Sequence, residues 1–224
     1  MITAKNLSKI YQVGTVNKTA LDGVDLEVRD GEFLAICGKS GCGKTTLLNI
    51  IGLTDVPTGG ALSLDGEDLL GLSKADQAKM RNRKIGYIFQ SFYLDLGYSV
   101  YTNVEMPLLI AGVEKKKRQE LVTEAIRKVG MEDHLKVRAN RLSGGEKQRV
   151  CIARALVMNP SVILADEPCG NLDSENTENI LNIFRSLHAE GKTILMVTHS
   201  REDAMIADRI IDMKDGRIIN ETKM

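Results

Sequence analysis

Three short apolar runs divide the chain into segments with different patterns. They are EFLAIC at 32–37, VILAD at 162–166 and TILMVTH at 193–199. Runs that are apolar on both faces are typical of strands in a parallel sheet that helices cover. The second run ends at Asp166 and the third at His199, while the first leads into glycine-rich sequence. The pattern therefore predicts a buried sheet with polar groups at the ends of its strands.

Helical periodicity fills the segments that separate these strands. KTTLLNIIGL, after the first run, has apolar residues at helical spacing, and so does the segment between the second and third runs. Asp173 or Ser174 can cap the start of that later helix, and Gly191 can end it. A strand, a helix and a strand at this spacing predict a parallel crossover. Near the end of the chain, RIIDMKDGRII predicts a hairpin with Asp215-Gly216 as its turn.

The middle of the chain has helical patterns without apolar strands. In KKKRQELVTEAIRKVG the apolar residues share one face and Gly130 can end the helix, while GEKQRVCIARALVMN predicts another helix that ends before Pro160. We therefore predict one α/β domain with a nucleotide-binding core, a mostly parallel sheet flanked by helices, over 1–90 and 158–224. A helical subdomain is predicted to be inserted over 91–157.

Composition narrows the classes of function. Lys plus Arg and Asp plus Glu both number 30, so the formal net charge is zero, whereas chains that bind nucleic acid usually carry a basic excess. We therefore expect no nucleic-acid partner. No apolar run approaches the roughly 20 residues of a membrane helix, and the first residues lack the apolar core of a signal peptide. The four cysteines form no C-x-x-C pair, which favours buried thiols in a reducing cytosol.

A glycine-rich motif follows the first strand. Residues 38–45 read GKSGCGKT and match G-x-x-x-x-G-K-[ST], in which backbone N–H groups wrap a phosphate and the next helix adds its positive end. Lys44 would reach the β- and γ-phosphates of ATP, and the Thr45 hydroxyl would ligate Mg²⁺. The alternative is a turn that only connects a strand to a helix. The predicted nucleotide-binding residues here are Gly38, Ser40, Gly41, Cys42, Gly43, Lys44, Thr45 and Thr46.

Polar side chains at the other two strand ends complement this motif. Asp166 would hold Mg²⁺ through water, and the adjacent Glu167 would polarise an attacking water. The alternative for the two carboxylates is a helix cap or a surface pair. A lone histidine is more often structural, but ligands gather at the carboxyl ends of strands in such sheets. We therefore predict that His199 contacts the γ-phosphate.

A second phosphate-binding turn is present in LSGGEKQRV at 142–150. A serine hydroxyl, exposed N–H groups and a helix dipole all favour a phosphate at such a turn. LSGGE followed by QRV, upstream of ADEP, resembles the signature of ABC-type ATPases, and the resemblance covers nearly the whole chain. The other matching segments are GKSGCGKT, YIFQS with Gln90, ILADEP, GNLD with Asp173, and the strand that ends at His199.

The resemblance implies residue roles that spacing alone does not. Gln90 resembles the Q-loop glutamine, which places it among the catalytic, nucleotide-binding and metal-ligating residues. Asp173 resembles the D-loop aspartate, and Tyr11 in KIYQVG matches the aromatic that stacks on adenine, with an ordinary strand tyrosine as the alternative. In this family two copies meet head to tail, so that the signature turn of one faces the ATP held by the other. That turn is Ser143, Gly144 and Gly145. The family fold also includes a small antiparallel β subdomain.

The same resemblance implies a biological setting. It describes an ATP-hydrolysing subunit that is a homodimer when ATP-bound and that lies at the inner face of the cell membrane through a permease. GYIFQSFYL, NVEMPLLIAG and ILADEPCGNLD resemble the branch serving macrolide efflux, lipoprotein release and antimicrobial-peptide resistance, whose permeases have an extracytoplasmic domain. The remaining alternative is a soluble ABC ATPase acting in cell division, in DNA repair or on the ribosome.

Two further features bear on these expectations. The aromatics that follow Gln90 are Phe92, Tyr93, Tyr98 and Tyr101. They predict an interface with the permease, although packing beneath the helical subdomain is the alternative for some of them.

The chain also departs from the family pattern at a few positions. At 146–147 the pair Glu-Lys replaces the commoner polar pair of the family. Cys42 stands where serine is common, and Cys169 replaces the usual threonine.

Overall fold

The computed structural model describes residues 1–224, apart from the side chain of residue 13. The strands in chain order are β1 (Ile2–Val13), β2 (Val16–Val28), β3 (Phe33–Cys37), β4 (Gly59–Leu64), β5 (Glu67–Asp68), β6 (Ile85–Ile88), β7 (Val162–Asp166), β8 (Thr193–Thr198), β9 (Arg209–Lys214) and β10 (Arg217–Lys223). The helices are α1 (Lys44–Ile51), α2 (Lys74–Lys84), α3 (Val100–Ile110), α4 (Lys115–Arg127), α5 (Gly144–Leu156), α6 (Ser174–Ala189) and α7 (Arg201–Ala204). Short 3-10 turns lie at Glu132–His134 and Ala139–Arg141.

Packing divides the chain into two compact units. The first unit comprises residues 1–78 and 188–224, and the second comprises residues 79–187. The predicted subdomain at 91–157 lies inside the second unit, and its boundaries stay a prediction.

The first unit contains strands that pair in two different ways, antiparallel and parallel. Strands β2, β1, β4 and β5 pair in that order as an antiparallel sheet. Strand β3 pairs in parallel with β8 on one side and with β9 on the other, and every residue of β3 and β8 is buried. Because both faces of these strands are covered, their sequences read as continuous apolar runs. This confirms the predicted parallel core strands and the antiparallel sheet that the resemblance implied.

The second unit is mostly helical. Strands β6 and β7 pair in parallel, and helices α3, α4 and α5 pack on one another. Helix α6 buries Ile180, Leu181, Phe184 and Leu187, which are four of the five residues of its predicted apolar stripe. The fifth, Ile183, is only partly buried. Asp173 accepts a hydrogen bond from the Asn176 backbone N–H at 2.8 Å and so caps this helix, as predicted.

Other predicted elements also form. Helices α1, α4 and α5 occupy their predicted segments, and the terminal hairpin turns at Asp215-Gly216, where both residues have positive φ. Helix α2 was not predicted. It buries none of its residues, so its sequence carries no apolar stripe that could announce it. Within the described part of the chain, no helix has the length and apolar character needed to cross a membrane.

Candidate functional site

The glycine-rich loop of the first unit joins β3 to α1, as the motif predicts. Gly43 lies at the N-cap of α1 with φ of 106°, a conformation that costs little only for glycine. A Cβ atom at Gly43 would also lie 2.3 Å from the Ala20 carbonyl oxygen of β2. The tight turn before α1 therefore requires a glycine for both conformational and steric reasons.

Lys44 is buried within this loop although it is charged. Its ammonium donates hydrogen bonds to the carbonyl oxygens of Gly38 at 2.7 Å and Lys39 at 3.1 Å, and it lies 4.0 Å from the Cys42 Sγ. The first turn of α1 contains no acidic residue. A helix N-terminus with a cation beside it is an anion-binding arrangement. Thr45, the predicted metal ligand, is exposed at this turn.

Tyr11 lies close to the first turn of α1. Its hydroxyl donates to Asp55 Oδ2 at 2.6 Å and hydrogen bonds with Thr46. The Lys9 ammonium bonds Asp55 Oδ1 at 2.6 Å and lies 4.8 Å from the centre of the Tyr11 ring. Burial and the Asp55 hydrogen bond raise the pKa of Tyr11. Burial alone would raise the pKa of Asp55, but its bonds from Lys9 and Tyr11 lower it below the ordinary value. The ring is thus held in place by three neighbours.

His199 follows β8 directly and is exposed. In the register of the parallel pair, Cys37 of β3 lies opposite Thr198 of β8. The next residues, Gly38 and His199, therefore leave the sheet at the same edge. This placement agrees with the predicted position of His199 near the glycine-rich loop.

The second unit carries Gln90 and Glu167. Strands β6 and β7 run in parallel with Ile88 opposite Ala165, so both residues follow the carboxyl ends of paired strands. The Gln90 Nε2 donates to Glu167 Oε2 at 3.0 Å. Glu167 has φ of 45°, which is uncommon for a residue with a side chain and is seen more often at functional sites. The two predicted catalytic residues of this unit are in contact.

Asp166 ends β7 and is buried. Burial and the nearby Asp166 charge both raise the pKa of Tyr87, a residue of the paired strand β6. Because the Asp166 charge affects a residue of β6, the carboxylate lies beside that strand. Oxygen ligands of this kind are those that Mg²⁺ prefers.

The signature turn begins helix α5 on the surface of the second unit. Ser143 and Gly144 are exposed, whereas Gly145 is buried. Ser143 Oγ accepts the Glu146 N–H at 3.3 Å, and Glu146 Oε2 accepts the Ser143 N–H at 2.7 Å, which forms a capping box. The Glu146 side chain also lies 3.2 Å from His134 Nε2.

Gly145 packs closely against a neighbouring side chain. A Cβ atom there would lie 2.0 Å from the Asn176 Oδ1. Asn176 is itself held by Asp173, whose oxygens accept the Asn176 Nδ2 at 3.0 Å. The hydrogen bond from the Asn176 backbone N–H, together with those from its side chain, lowers the pKa of Asp173. Asp173 therefore holds the Asn176 side chain that packs against the signature turn, an arrangement that the sequence did not indicate.

The segment after Gln90 is fastened to helix α5. Arg154 donates to the carbonyl oxygens of Tyr93 at 2.7 Å and Phe92 at 3.0 Å, and the Cys151 thiol donates to Phe92 O at 2.9 Å. Burial raises the pKa of Cys151 to about 12, so the thiol keeps its proton. Of the aromatics predicted to form an interface, Tyr93 and Tyr98 are exposed, whereas Phe92 and Tyr101 are partly buried.

Several residues of these sites escaped the sequence analysis. They act through contacts between residues far apart in the chain, and none belongs to a recognised short motif. The Tyr11–Asp55 pair spans 44 positions, for example, so no local pattern could join its members. The missed residues are Lys9, Asp55, His134, Cys151, Arg154 and Asn176.

Comparisons with known proteins agree with this geometry. Residues 21–170 match the family model described as ABC transporter. The chain is 46% identical over 98% of its length to the ABC transporter ATP-binding protein YknY of Bacillus subtilis, and covers 95% of that protein. It is 45% identical over 97% of its length to the macrolide export ATP-binding/permease protein MacB of Chlorobium phaeobacteroides, but spans only 33% of that longer protein.

A solved structure extends the similarity to the fold. The structure is a dimeric, post-hydrolysis state of the ATP-binding cassette MJ0796 bound to ADP and Pi. It matches with a TM-score of 0.93 and 39% identity, covering 100% of this chain and 98% of that chain. This chain therefore belongs to the ABC transporter family, as the ATP-binding subunit type, and it is an ATPase.

Proposed function

We propose that two copies of this chain close head to tail over two molecules of ATP and separate after hydrolysis, and that this cycle drives an exporter. The observation that carries the proposal is the exposed turn of Ser143 and Gly144 at the start of α5. The chain already has a complete phosphate loop with its own lysine. A second, outward-facing anion-binding turn is therefore available to the nucleotide of another copy.

In this scheme the first unit binds the nucleotide. The N–H groups of residues 38–45 and the start of α1 hold the phosphates, and Lys44 turns from loop carbonyls to the β- and γ-phosphates. Tyr11 offers its ring to adenine, held in position by Asp55 and Lys9. His199 contacts the γ-phosphate from the edge of the sheet that it shares with the loop.

The second unit supplies the residues that act on water. Glu167 accepts a proton from the attacking water, and the Gln90 amide orients its carboxylate through their 3.0 Å hydrogen bond. The N–H groups of the signature turn stabilise negative charge on the transferring phosphoryl group. Asp173 keeps that turn in place through Asn176.

The donor set also fits Mg²⁺. Thr45 offers a hydroxyl, Gln90 an amide oxygen and Asp166 a carboxylate, and all are the hard oxygen ligands that this ion prefers. These three residues are the proposed ligands. Bound Mg²⁺ would neutralise charge on the β- and γ-phosphates.

We further propose a membrane permease with an extracytoplasmic domain as partner, and a drug, peptide or lipoprotein as the cargo that is exported or extracted. The chain would then be a cytoplasmic protein held at the inner face of the membrane. Support comes from the similarity to MacB, whose name joins ATP-binding and permease functions. Large apolar side chains are also exposed at 93–110, among them Tyr93 at 70% and Ile110 at 73% exposure. Such side chains are enriched at protein interfaces.

Complementation between two variants tests the head-to-tail arrangement. Lys44→Ala damages the phosphate loop, and Ser143→Asp repels phosphate while it keeps a good helix cap. Each variant alone should lose ATPase activity. In an equal mixture, half of the dimers that form at random contain one chain of each variant. Each of these mixed dimers has one intact site and one site that carries both changes, so about a quarter of the parent activity should return. No recovery in the mixture, with both variants folded, would contradict pairing of the turns across two chains.

Two further measurements address the other parts of the proposal. Glu167→Gln should still bind ATP and should form a long-lived dimer, because turnover falls by about a hundredfold or more when a general base is lost. Near-normal turnover would remove Glu167 from that role.

For the permease, Ile110→Asp should abolish co-purification with the membrane complex and leave ATP binding intact. Val16→Asp, at an exposed apolar residue of the first unit, is the matched control and should co-purify normally.

A further inference from the structure

The signature turn contains a carboxylate of its own. The capping box commits Glu146 Oε2 to the Ser143 N–H at 2.7 Å, so the negative charge lies within one turn of the exposed N–H groups. A carboxylate at this position stabilises the helix start. It also repels any phosphate that approaches the same N–H groups. A turn that must receive a triphosphate therefore needs something to offset this charge.

A histidine from another element contacts the same carboxylate. His134 ends the 3-10 turn Glu132–His134, and its Nε2 lies 3.2 Å from Glu146 Oε1. One carboxylate oxygen thus faces the Ser143 N–H and the other faces the imidazole. The two side chains are only 35% and 25% exposed, so solvent screens the pair incompletely.

The second nitrogen of the ring has a different environment. His134 Nδ1 is buried, with no hydrogen-bond partner among the side chains that the structure describes and no backbone partner. A neutral ring with its proton on Nε2 satisfies Glu146 and leaves Nδ1 as an unpaired acceptor. A second proton on Nδ1 loses hydration but gains attraction to the carboxylate. Nδ1 is therefore the atom at which the ring would accept a second proton.

The surrounding charges are mixed in sign. Glu132 and Asp133 share the turn with His134, and Arg149 lies on α5 with its Nε 3.4 Å from the Met131 Sδ beside that turn. Helix α4, which packs against the turn, ends near it with Arg127 and Lys128. Of these groups, Arg149 acts on the Glu146 carboxylate together with His134. The negative charge that an arriving triphosphate adds would favour protonation of His134.

We propose that His134 is a positioning residue of the signature turn, which holds Glu146 in the capping box and takes up a proton when the other copy's triphosphate arrives. The proton offsets the carboxylate charge. This inference rests on the head-to-tail pairing proposed above. By linkage, ligand binding that favours the protonated ring must be strengthened by lower pH. ATP-driven pairing of this chain should accordingly be tighter at pH 6 than at pH 8.

The test measures the dissociation constant of the ATP-bound dimer by sedimentation velocity in Glu167→Gln chains, in which turnover is slowed. At constant ionic strength, the dissociation constant should be about fivefold lower at about pH 6 than at about pH 8. The factor is about this size because each dimer has two sites, and each site gains one modest charge pair. Adding His134→Gln, which keeps an N–H donor for Glu146 but does not titrate, should remove the extra pH dependence. Adding Glu146→Gln should do the same and should give tight pairing at both pH values.

Protonation of ATP itself affects all variants equally, so the comparison between variants carries the result. A pH dependence in the His134→Gln chain equal to that of its parent would overturn the inference and leave the head-to-tail mechanism standing. Absence of ATP-dependent pairing in every chain at both pH values would overturn the mechanism as well. Thermal unfolding without nucleotide checks that the substituted chains are folded at both pH values.

Discussion

The two phosphate-binding turns of this chain differ in the charge that stands beside their N–H groups. The loop before α1 has no acid in the first helical turn and holds the Lys44 ammonium between its carbonyl oxygens. The turn before α5 is capped by Glu146 and is exposed. We therefore expect the first arrangement to bind a triphosphate on its own, because it supplies a positive charge. We expect the second to receive a triphosphate only with the help of positive charge from outside the turn.

The turns also differ in what makes their glycines necessary. Gly43 faces the Ala20 carbonyl of a paired strand, which cannot move without distorting the sheet. Gly145 faces the amide of the Asn176 side chain, which can rotate at the cost of its bonds to Asp173. The loop is therefore rigid through its backbone, whereas the signature turn is shaped by replaceable side-chain contacts.

The largest expected effect separates binding within one chain from binding between chains. Lys44→Ala should weaken ATP binding to the dilute, monomeric chain and lower turnover by about a hundredfold or more, because a charge-assisted phosphate contact is lost. Ser143→Asp should lower turnover by a similar factor but leave ATP binding to the monomer unchanged. Titration with a fluorescent ATP analogue at low protein concentration measures this. Weakened monomer binding in Ser143→Asp would show that the turn serves its own chain.

The next effect concerns the two glycines. Gly43→Ala should lower the free energy of unfolding by about 3 kcal/mol, since a backbone clash adds to an unfavourable φ. Gly145→Ala should cost about 1–2 kcal/mol, the loss of the bonds that hold Asn176. Urea denaturation measures both. Asn176→Ala should recover part of the loss in the Gly145→Ala chain and none in the Gly43→Ala chain, and equal recovery in both would refute the contrast.

A smaller effect is expected at the helix cap that supports the signature turn. Asp173→Ala removes the acceptor of the Asn176 N–H and should destabilise the chain by about 1 kcal/mol. Asp173→Ser retains a capping oxygen and should lose only a fraction of this. Thermal unfolding of the two variants provides the measurement. Equal losses in both would mean that the cap contributes little to α6.

The smallest effect is the dependence of stability on pH at the signature turn. Hydrogen bonds from the Ser143 backbone and side chain lower the pKa of Glu146 below its ordinary value of 4.5. Its carboxylate therefore stabilises the folded chain above that value, and the contribution is lost as the pH falls through the lowered pKa. Glu146→Gln should be less stable than the parent at neutral pH, and the difference should shrink at about pH 3. Glu124→Gln is the control, because the pKa of this exposed carboxylate on α4 is also lowered, by a hydrogen bond from Arg127. Solvent screens that exposed pair, so its change should be smaller.

Local patterns in the sequence were sufficient for much of the fold. The fully buried strands β3, β7 and β8 were predictable because both faces are apolar, and α6 because its apolar stripe and capping aspartate follow simple rules. Helix α2 was not predictable, since none of its residues is buried. Helix α3 contains Pro107 in its interior, which local rules treat as a sign against a helix.

The candidate site divides in the same way. Motif residues such as Lys44 and Glu167 were predicted from the sequence because phosphate and water chemistry demand particular side chains at fixed spacing. Their supports were not found. Asp55, which holds Tyr11, and Asn176, which demands Gly145, act through space on residues that no short pattern links to them.

The sequence by itself determined the class of protein, because its short motifs carry side chains that are needed for one chemistry and are ordered along one chain. It also determined most buried elements, since hydrophobic periodicity reflects local geometry. Only the tertiary structure decided which side chains position these motifs, and that the signature turn carries a carboxylate paired with His134. Such pairs depend on packing between distant segments, where distances of a few ångströms decide whether charges attract, repel or never meet.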